Sequence, residues 1–361
     1  MFGAAVLLPF LFYVLIPFAG VWTLITNRFF DIPIAALPEH DGSGQTAIVT
    51  GSNTGIGFQT ARLLTLEYNF TTIIASRNDK KALAAANSIN EECDGIPSCG
   101  GEAFFVSPLD LSSFPSVLNF VETFAASEHG RKVDVLVNNA GISGDRNTLN
   151  TEDDLDHVIK TNFLGHMYLT NLLLPSLAAG GRVVNLSSVM QYFVGDRLSN
   201  MKNTNAWDAV ILKGKSKPNS ASYAWSKVMM RIWAEELANG TAENVTFVSA
   251  NPGGVYSEIW RSLPQWMKRI LEVSLLDCVQ GAWTSVAAAI GDVPSGSYLE
   301  PYLLPRFPGS KTFQPLFEIS GPFVGWHTVD GRVGEGGIGS AMMEASNKIL
   351  TNEVEKVCAV Q

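Results

Sequence analysis

The chain has 361 residues, 46% of them hydrophobic and 16% charged, with a formal net charge of −9. That acidic balance excludes a basic nucleic-acid-binding face, and the apolar share suffices for one α/β core with extensions. Four cysteines (Cys93, Cys99, Cys278, Cys358) are too few for a disulfide scaffold, and Cys93 and Cys99 read as reduced thiols, since no histidine stands nearby to complete a metal site.

Phe2 to Ile25 carries no charged residue. As a helix it would rise about 36 Å, enough to cross a hydrocarbon core of about 30 Å. A cleavable signal peptide would want a basic start, and no Lys or Arg precedes Phe10, so a retained membrane anchor over residues 1–28 is expected. Pro9 and Pro17 leave a hairpin in one leaflet as the alternative. Arg28, on the body side, places the rest of the chain in the cytosol. A Pro/Gly linker over residues 29–44 follows.

Strand-like apolar runs then alternate with amphipathic stretches. Strands are expected at Thr46–Thr50, Thr72–Ala75, Ala103–Val106, Val133–Val137, Arg182–Leu186 and Thr246–Ala250. Helices are expected at Ile56–Tyr68, Lys80–Glu91, Ser116–Glu128, Asp153–Ala178 and Ala221–Asn239, with a last one at Ala341–Val357. Strands apolar on both faces and separated by helices predict a doubly wound parallel sheet, a single Rossmann-type α/β domain over residues 45–300. The polar stretch from Asn200 to Asn219 reads as an exposed insertion, and residues 301–361 as a C-terminal extension without an assigned role.

The first strand runs into Gly51-Ser52-Asn53-Thr54-Gly55-Ile56-Gly57 and then a helix. Glycines there let the backbone turn tightly against a pyrophosphate resting on the free amides of the helix start. With this turn the chain resembles the short-chain dehydrogenases/reductases. The resemblance rests on Thr50-Gly51-x3-Gly55-x-Gly57, Asn138-Asn139-Ala140-Gly141, Ser188, Tyr223-Ala224-Trp225-Ser226-Lys227 and Asn251-Pro252-Gly253-Gly254-Val255, in the family's order between Gln45 and Pro294. It implies a nicotinamide dinucleotide held by the Gly51–Gly57 turn, by Asp110 and Leu111 at the adenine, by Asn139, Ala140 and Gly141, by Tyr223 and Lys227, and by Pro252, Gly253 and Val255. Asp110 could equally cap the following helix. The second strand ends Ser76-Arg77 with no acid to take ribose hydroxyls, so Arg77 facing a 2′-phosphate favours NADP(H).

A tyrosine is a poor base at neutral pH unless its phenolate is stabilised, and Tyr223 and Lys227 stand one helical turn apart. Lys227 is expected to lower the tyrosine pKa and to hold the nicotinamide ribose. The resemblance assigns Ser188, rather than Ser187, to the substrate oxygen, and Asn162 to a water near the lysine. Ser188 and Tyr223 are 35 positions apart, wider than the family's minimal forms, with the polar insertion between them. The anchor and the Ser-Arg strand end are similar to membrane-bound, retinol-dehydrogenase-like reductases. They imply endoplasmic reticulum or lipid-droplet membranes and a lipophilic alcohol or carbonyl substrate: a retinoid, a sterol, or a long-chain aldehyde or ketone. Ser257–Leu276, with Ile259, Trp260, Leu263, Trp266 and Met267, reads as a substrate lid or as core packing. Expected partners are that substrate, the membrane and no nucleic acid, with a homodimer left open. Two other readings are a dinucleotide-binding, membrane-tethered scaffold without turnover and a tethered interaction protein. The presence of all four catalytic residue types weighs against the scaffold.

Overall fold

Strands β1 (Thr46–Thr50), β2 (Thr71–Ala75) and β4 (Val133–Asn138) bury nearly every residue. A strand without a polar face must be covered on both sides. The computed structural model shows that cover, and it describes residues 39–130, 132–143, 154–212, 220–240, 244–258, 264–301, 316–319 and 337–360. With β3 (Glu102–Phe104), β5 (Leu177–Leu186), β6 (Val245–Ala250), β7 (Tyr298–Pro301) and β8 (Leu316–Ile319), the strands form one sheet ordered β3-β2-β1-β4-β5-β6-β7-β8. Pairings from β3 through β7 are parallel, and β8 closes the edge antiparallel to β7.

Helices α1 (Gly55–Leu66) and α2 (Asp79–Asp94) lie on one face of the sheet. Leu63, Leu64, Ala85 and Ile89 join Val49, Val137 and Val184 in the core there. The other face carries α3 (Phe114–Ala126) and α4 (Gly165–Leu173), whose Phe120, Phe124 and Met167 pack with Ile48, Leu136 and Val183. Sequence order along the sheet reverses between β1 and β4, and this switch point opens the crevice in which doubly wound folds bind ligands.

Four expectations are corrected. The single helix expected over Asp153–Ala178 is, from His157 onward, a helical turn (His157–Ile159), a π-turn (Lys160–Leu164), α4 and a 3-10 turn (Leu174–Ser176). Pro175 ends the regular helix, and β5 begins at Leu177, earlier than expected. Secondly, the insertion is not wholly exposed. Its α5 (Thr204–Ile211) buries Trp207 completely, and the Trp207 indole donates to the Met201 carbonyl at 3.0 Å. Thirdly, β7 and β8 extend the sheet beyond the six expected strands and make it mixed. They are four residues each in Pro/Gly-rich chain, too short to show a period.

Lastly, Cys93 and Cys99 form a disulfide rather than two free thiols. The turn between α2 and β3 folds back through Ile96 N–H to the Cys93 carbonyl (2.9 Å) and Cys99 N–H to the Ile96 carbonyl (3.0 Å), bringing the two Cα atoms to 5.5 Å. Such bonds are rare in the cytosol, which weighs against the orientation read from Arg28.

Helix α6 (Ser220–Gly240) carries the Tyr-Lys pair, and α7 (Gln265–Ser274), α8 (Cys278–Ile290) and α9 (Ile338–Val360) complete the described elements. Ile338, Met342 and Ala345 of α9 pack into the core around α6. The expected anchor (1–28), the linker up to residue 38, insertion residues 213–219 and lid residues 259–263 lie outside the described residues. Among the described residues no helix is long and apolar enough to cross a membrane.

Candidate active site

At the end of β1 the chain turns with Gly51 at φ +66° and Gly55 at φ +63°, backbone that residues with a Cβ rarely adopt. A Cβ on Gly57 would meet the Asn139 side-chain nitrogen Nδ2 at 2.3 Å and the Gly51 carbonyl at 2.6 Å. A Cβ on Gly51 would lie 2.9 Å from the Ala140 Cα, so the turn packs directly on the segment after β4. Thr54 caps α1 in extended conformation without a side-chain bond, which leaves the first-turn amides for an anion. Ser52 points the other way: it is buried, donates to the Val49 carbonyl (2.6 Å) and accepts from Ala75 N–H (3.2 Å). Its side chain holds the turn together, and only its backbone can serve a ligand.

Thr50 ties this turn to its neighbour. Its hydroxyl accepts from the amides of Asn139 and Ala140, both at 2.9 Å, while the Asn139 side chain donates to the Thr50 carbonyl at 2.7 Å. Arg77 is exposed at the end of β2, and among the described residues no carboxylate pairs with it. Asp110 does not cap α3. Its carboxylate accepts from Ser112 N–H and Oγ–H (2.9 and 2.6 Å), and Ser113 is the cap. Leu111 is buried, and its carbonyl would lie 2.2 Å from a Cβ on Gly165, so glycine is required where α4 begins. His157 is drawn below its ordinary pKa by burial. Asp110 opposes that shift, and Lys160 and Arg77 add to it. Beyond β6, Pro252 and Val255 are buried and Gly253 takes φ +82°. Gly281 of α8 packs against Val255, where a Cβ would come within 2.5 Å.

The remaining site residues converge at the carboxyl end of β5. Ser188 accepts from Met190 N–H (3.2 Å) and shares a hydrogen bond with the Tyr223 hydroxyl. Ser187 faces inward and donates to the Lys227 carbonyl at 2.9 Å. The Lys227 ammonium donates to the Leu186 carbonyl at 2.8 Å and lies 5.6 Å from the Tyr223 ring centroid. Asn162 accepts from Ile142 N–H (2.8 Å) and donates to the Ile142 carbonyl (2.9 Å) and to Ser226 Oγ (3.0 Å). Ser226 in turn donates to the Tyr223 carbonyl at 2.8 Å. Asp156 accepts from Val158 N–H, Ile159 N–H and Ser222 Oγ–H, and so binds the start of the π-turn to the residue before Tyr223.

The electrostatics depart from expectation. Burial pushes Tyr223 up to about 12, opposed by the Ser188 bond, and burial pushes Lys227 down to about 8. The cation does not lower the phenol here, because its hydrogen bond goes to a carbonyl while the ring is met face-on. Reasoning from sequence alone quoted Thr50 and Ser226 inside motifs without giving either a role, and it missed Asp156, Ser222 and His166. Of these, only His166 carried a readable signal, one helical turn after Asn162.

The short chain dehydrogenase family profile matches residues 45–197. A short-chain dehydrogenase/reductase of Armillaria gallica is 31% identical over 277 residues, covering 74% of this chain and 84% of that protein. Polyprenol dehydrogenase of Mus musculus is 32% identical over 260 residues (68% and 71%), and retinol dehydrogenase 11 of Mus musculus is 32% identical over 252 residues (68% and 73%). Among solved structures, a dehydrogenase/reductase from Sinorhizobium meliloti superposes with TM-score 0.55 at 20% identity, covering 72% of this chain and 94% of that one. Salutaridine reductase from Papaver somniferum gives 0.54 at 19%, covering 70% and 99%. The chain belongs to the short-chain dehydrogenases/reductases, oxidoreductases with a nicotinamide-dinucleotide-binding fold, and is retinol-dehydrogenase-like within them.

Proposed function

We propose that the chain is an NADP(H)-dependent enzyme that interconverts a lipophilic alcohol and its carbonyl at a membrane, with Tyr223 as the acid/base. The carrying observation is the convergence of Ser188, Tyr223 and Lys227 at one strand end, beside the glycine turn. When bound, the nicotinamide supplies or accepts the hydride. The cradle suits such a coenzyme: Gly51 and Gly57 stand where a Cβ would collide, and Arg77, which no carboxylate pairs with among the described residues, offers a guanidinium for a 2′-phosphate.

Every other task falls to the chain. Tyr223, kept as a neutral phenol by burial, is set to donate its proton to a carbonyl oxygen. Ser188, bonded to that phenol, can hold the same oxygen and stabilise its developing charge. Lys227, still cationic at neutral pH, returns a proton toward the tyrosine, and Asn162 fixes the segment after β4 on the other side. A lipophilic substrate is favoured by the named relatives, which act on retinol and polyprenol, and by Trp266 of α7, 65% exposed rather than packed in the core. The apolar N-terminal segment supports membrane attachment.

Purified in detergent, the protein should oxidise NADPH when offered retinals, ketosteroids or long-chain aldehydes, and do so faster than NADH. Arg77→Glu should reverse that coenzyme ratio; an unchanged ratio eliminates the role given to Arg77. Silence across all three substrate classes removes the lipophilic reading.

A further inference from the structure

His166 is completely buried on α4, and the proton-transfer chemistry above does not use it. Its Nδ1 lies 2.9 Å from the Asn162 carbonyl oxygen, which can only accept, so Nδ1 carries the hydrogen. Its Nε2 lies 2.9 Å from Thr50 Oγ1. That hydroxyl already accepts from the amides of Asn139 and Ala140, so both lone pairs are engaged and its one hydrogen is free for Nε2. The other acceptor within reach, the Val137 carbonyl, is farther at 3.3 Å. An imidazolium would set a second N–H against an oxygen with nothing left to accept it. Burial, which lowers the pKa to about 3, agrees with a neutral ring.

The ring therefore closes a circuit of directed hydrogen bonds. It runs from the amides of Asn139 and Ala140 to Thr50, from Thr50 to His166, and from His166 to the Asn162 carbonyl. The Asn162 side chain returns to the same segment at Ile142 and reaches the Tyr223 carbonyl through Ser226. The circuit passes through the π-turn, a geometry that leaves the local helical ladder irregular and often marks functional positions.

We propose that His166, as the neutral Nδ1–H tautomer, is a positioning residue that holds Asn162 and the Tyr223 turn of α6 in register with the coenzyme turn. It rests on the acid/base reading of Tyr223. Loosening this link would displace reacting groups without removing any of them, and a misplacement near 1 Å can cost about 100-fold in rate.

The test is a variant series in the full chain with NADPH and an aldehyde substrate. His166→Phe keeps ring volume and loses both bonds; Thr50 then turns to the Val137 carbonyl. We expect kcat to fall about 10- to 100-fold while the NADPH dissociation constant, read by fluorescence titration, stays within about threefold. His166→Asn, whose amide N–H can replace Nδ1–H toward Asn162, should recover most of that loss. Wild-type kcat in His166→Phe overturns the proposal, and so does an Asn variant that folds but is no faster than Phe. Independently of any variant's folding, 15N histidine spectra of the wild type at pH 7 should show a protonated Nδ1 and a bare Nε2; the opposite tautomer or an imidazolium overturns the assignment. Tyr223→Phe run alongside separates the two ideas. Activity there sinks the acid/base reading, whereas an inactive Tyr223→Phe beside a fully active His166→Phe sinks only the positioning role.

Discussion

The Lys227 ammonium lies 5.6 Å from the centre of the Tyr223 ring, yet its hydrogen bond is made to the Leu186 carbonyl at 2.8 Å. Burial sets the two groups apart in proton affinity, the phenol near 12 and the amine near 8. Lys227 is thus the group that titrates in the working range. Below its pKa the site holds a cation beside a neutral phenol, and above it both are neutral. The kcat/KM for NADPH reports ionisations of the free enzyme. It should be level from pH 6 to 7 and fall as pH rises through about 8. A profile level to pH 10 would show that the cation is not required.

Tyr223→Phe removes the phenol hydroxyl bonded to Ser188 while keeping the ring that Lys227 faces. General acid catalysis contributes roughly 100- to 10,000-fold, so kcat should drop by at least about 100-fold. NADPH affinity should change little, because the glycine turn and Arg77 are untouched. A kcat within tenfold of wild type contradicts the assignment.

The sheet was legible because its strands are apolar on both faces, and strand ends such as Thr50 and Ala250 fall where the sequence places them. The glycine turn was legible because Gly51 and Gly57 answer to backbone contacts that admit no side chain. What escaped were contacts between distant segments. Nothing in the polar stretch around Trp207 says that the indole turns inward onto Trp225, and nothing near Thr50 says that its hydroxyl meets His166, 116 positions away. The disulfide depends on a turn that spacing alone does not define. The tyrosine's raised pKa reflects burial, which a pattern of tyrosine and lysine cannot reveal.

Trp207 is the structural centre of the insertion: fully buried, bonded to the Met201 carbonyl, and edge-on to Trp225 at 5.6 Å on the helix that carries Tyr223. Truncation to alanine leaves a large cavity and should cost about 3–5 kcal/mol. Urea denaturation should show that loss. Since Trp225 is two residues from Tyr223, kcat should fall as well, even well below the melting range. A destabilisation under about 1 kcal/mol would mean that the insertion packs independently of the site.

His166 also links stability to acid. Its folded pKa of about 3 lies below the ordinary value of 6.5, through burial first and the Lys227 charge last, with the Asn162 carbonyl opposing both. Between those values the unfolded chain binds a proton that the folded protein refuses. Stability therefore falls as pH drops from 6.5 toward 3, with a slope approaching 1.4 kcal/mol per pH unit. At pH 5 the penalty from this one group reaches about 2 kcal/mol. Urea unfolding at pH 7 and pH 5 should register it in the wild type. In His166→Phe the difference between the two pH values should shrink by that amount, because the other histidines are common to both proteins and cancel. Equal differences in the two proteins would show that the buried imidazole takes up its proton without unfolding.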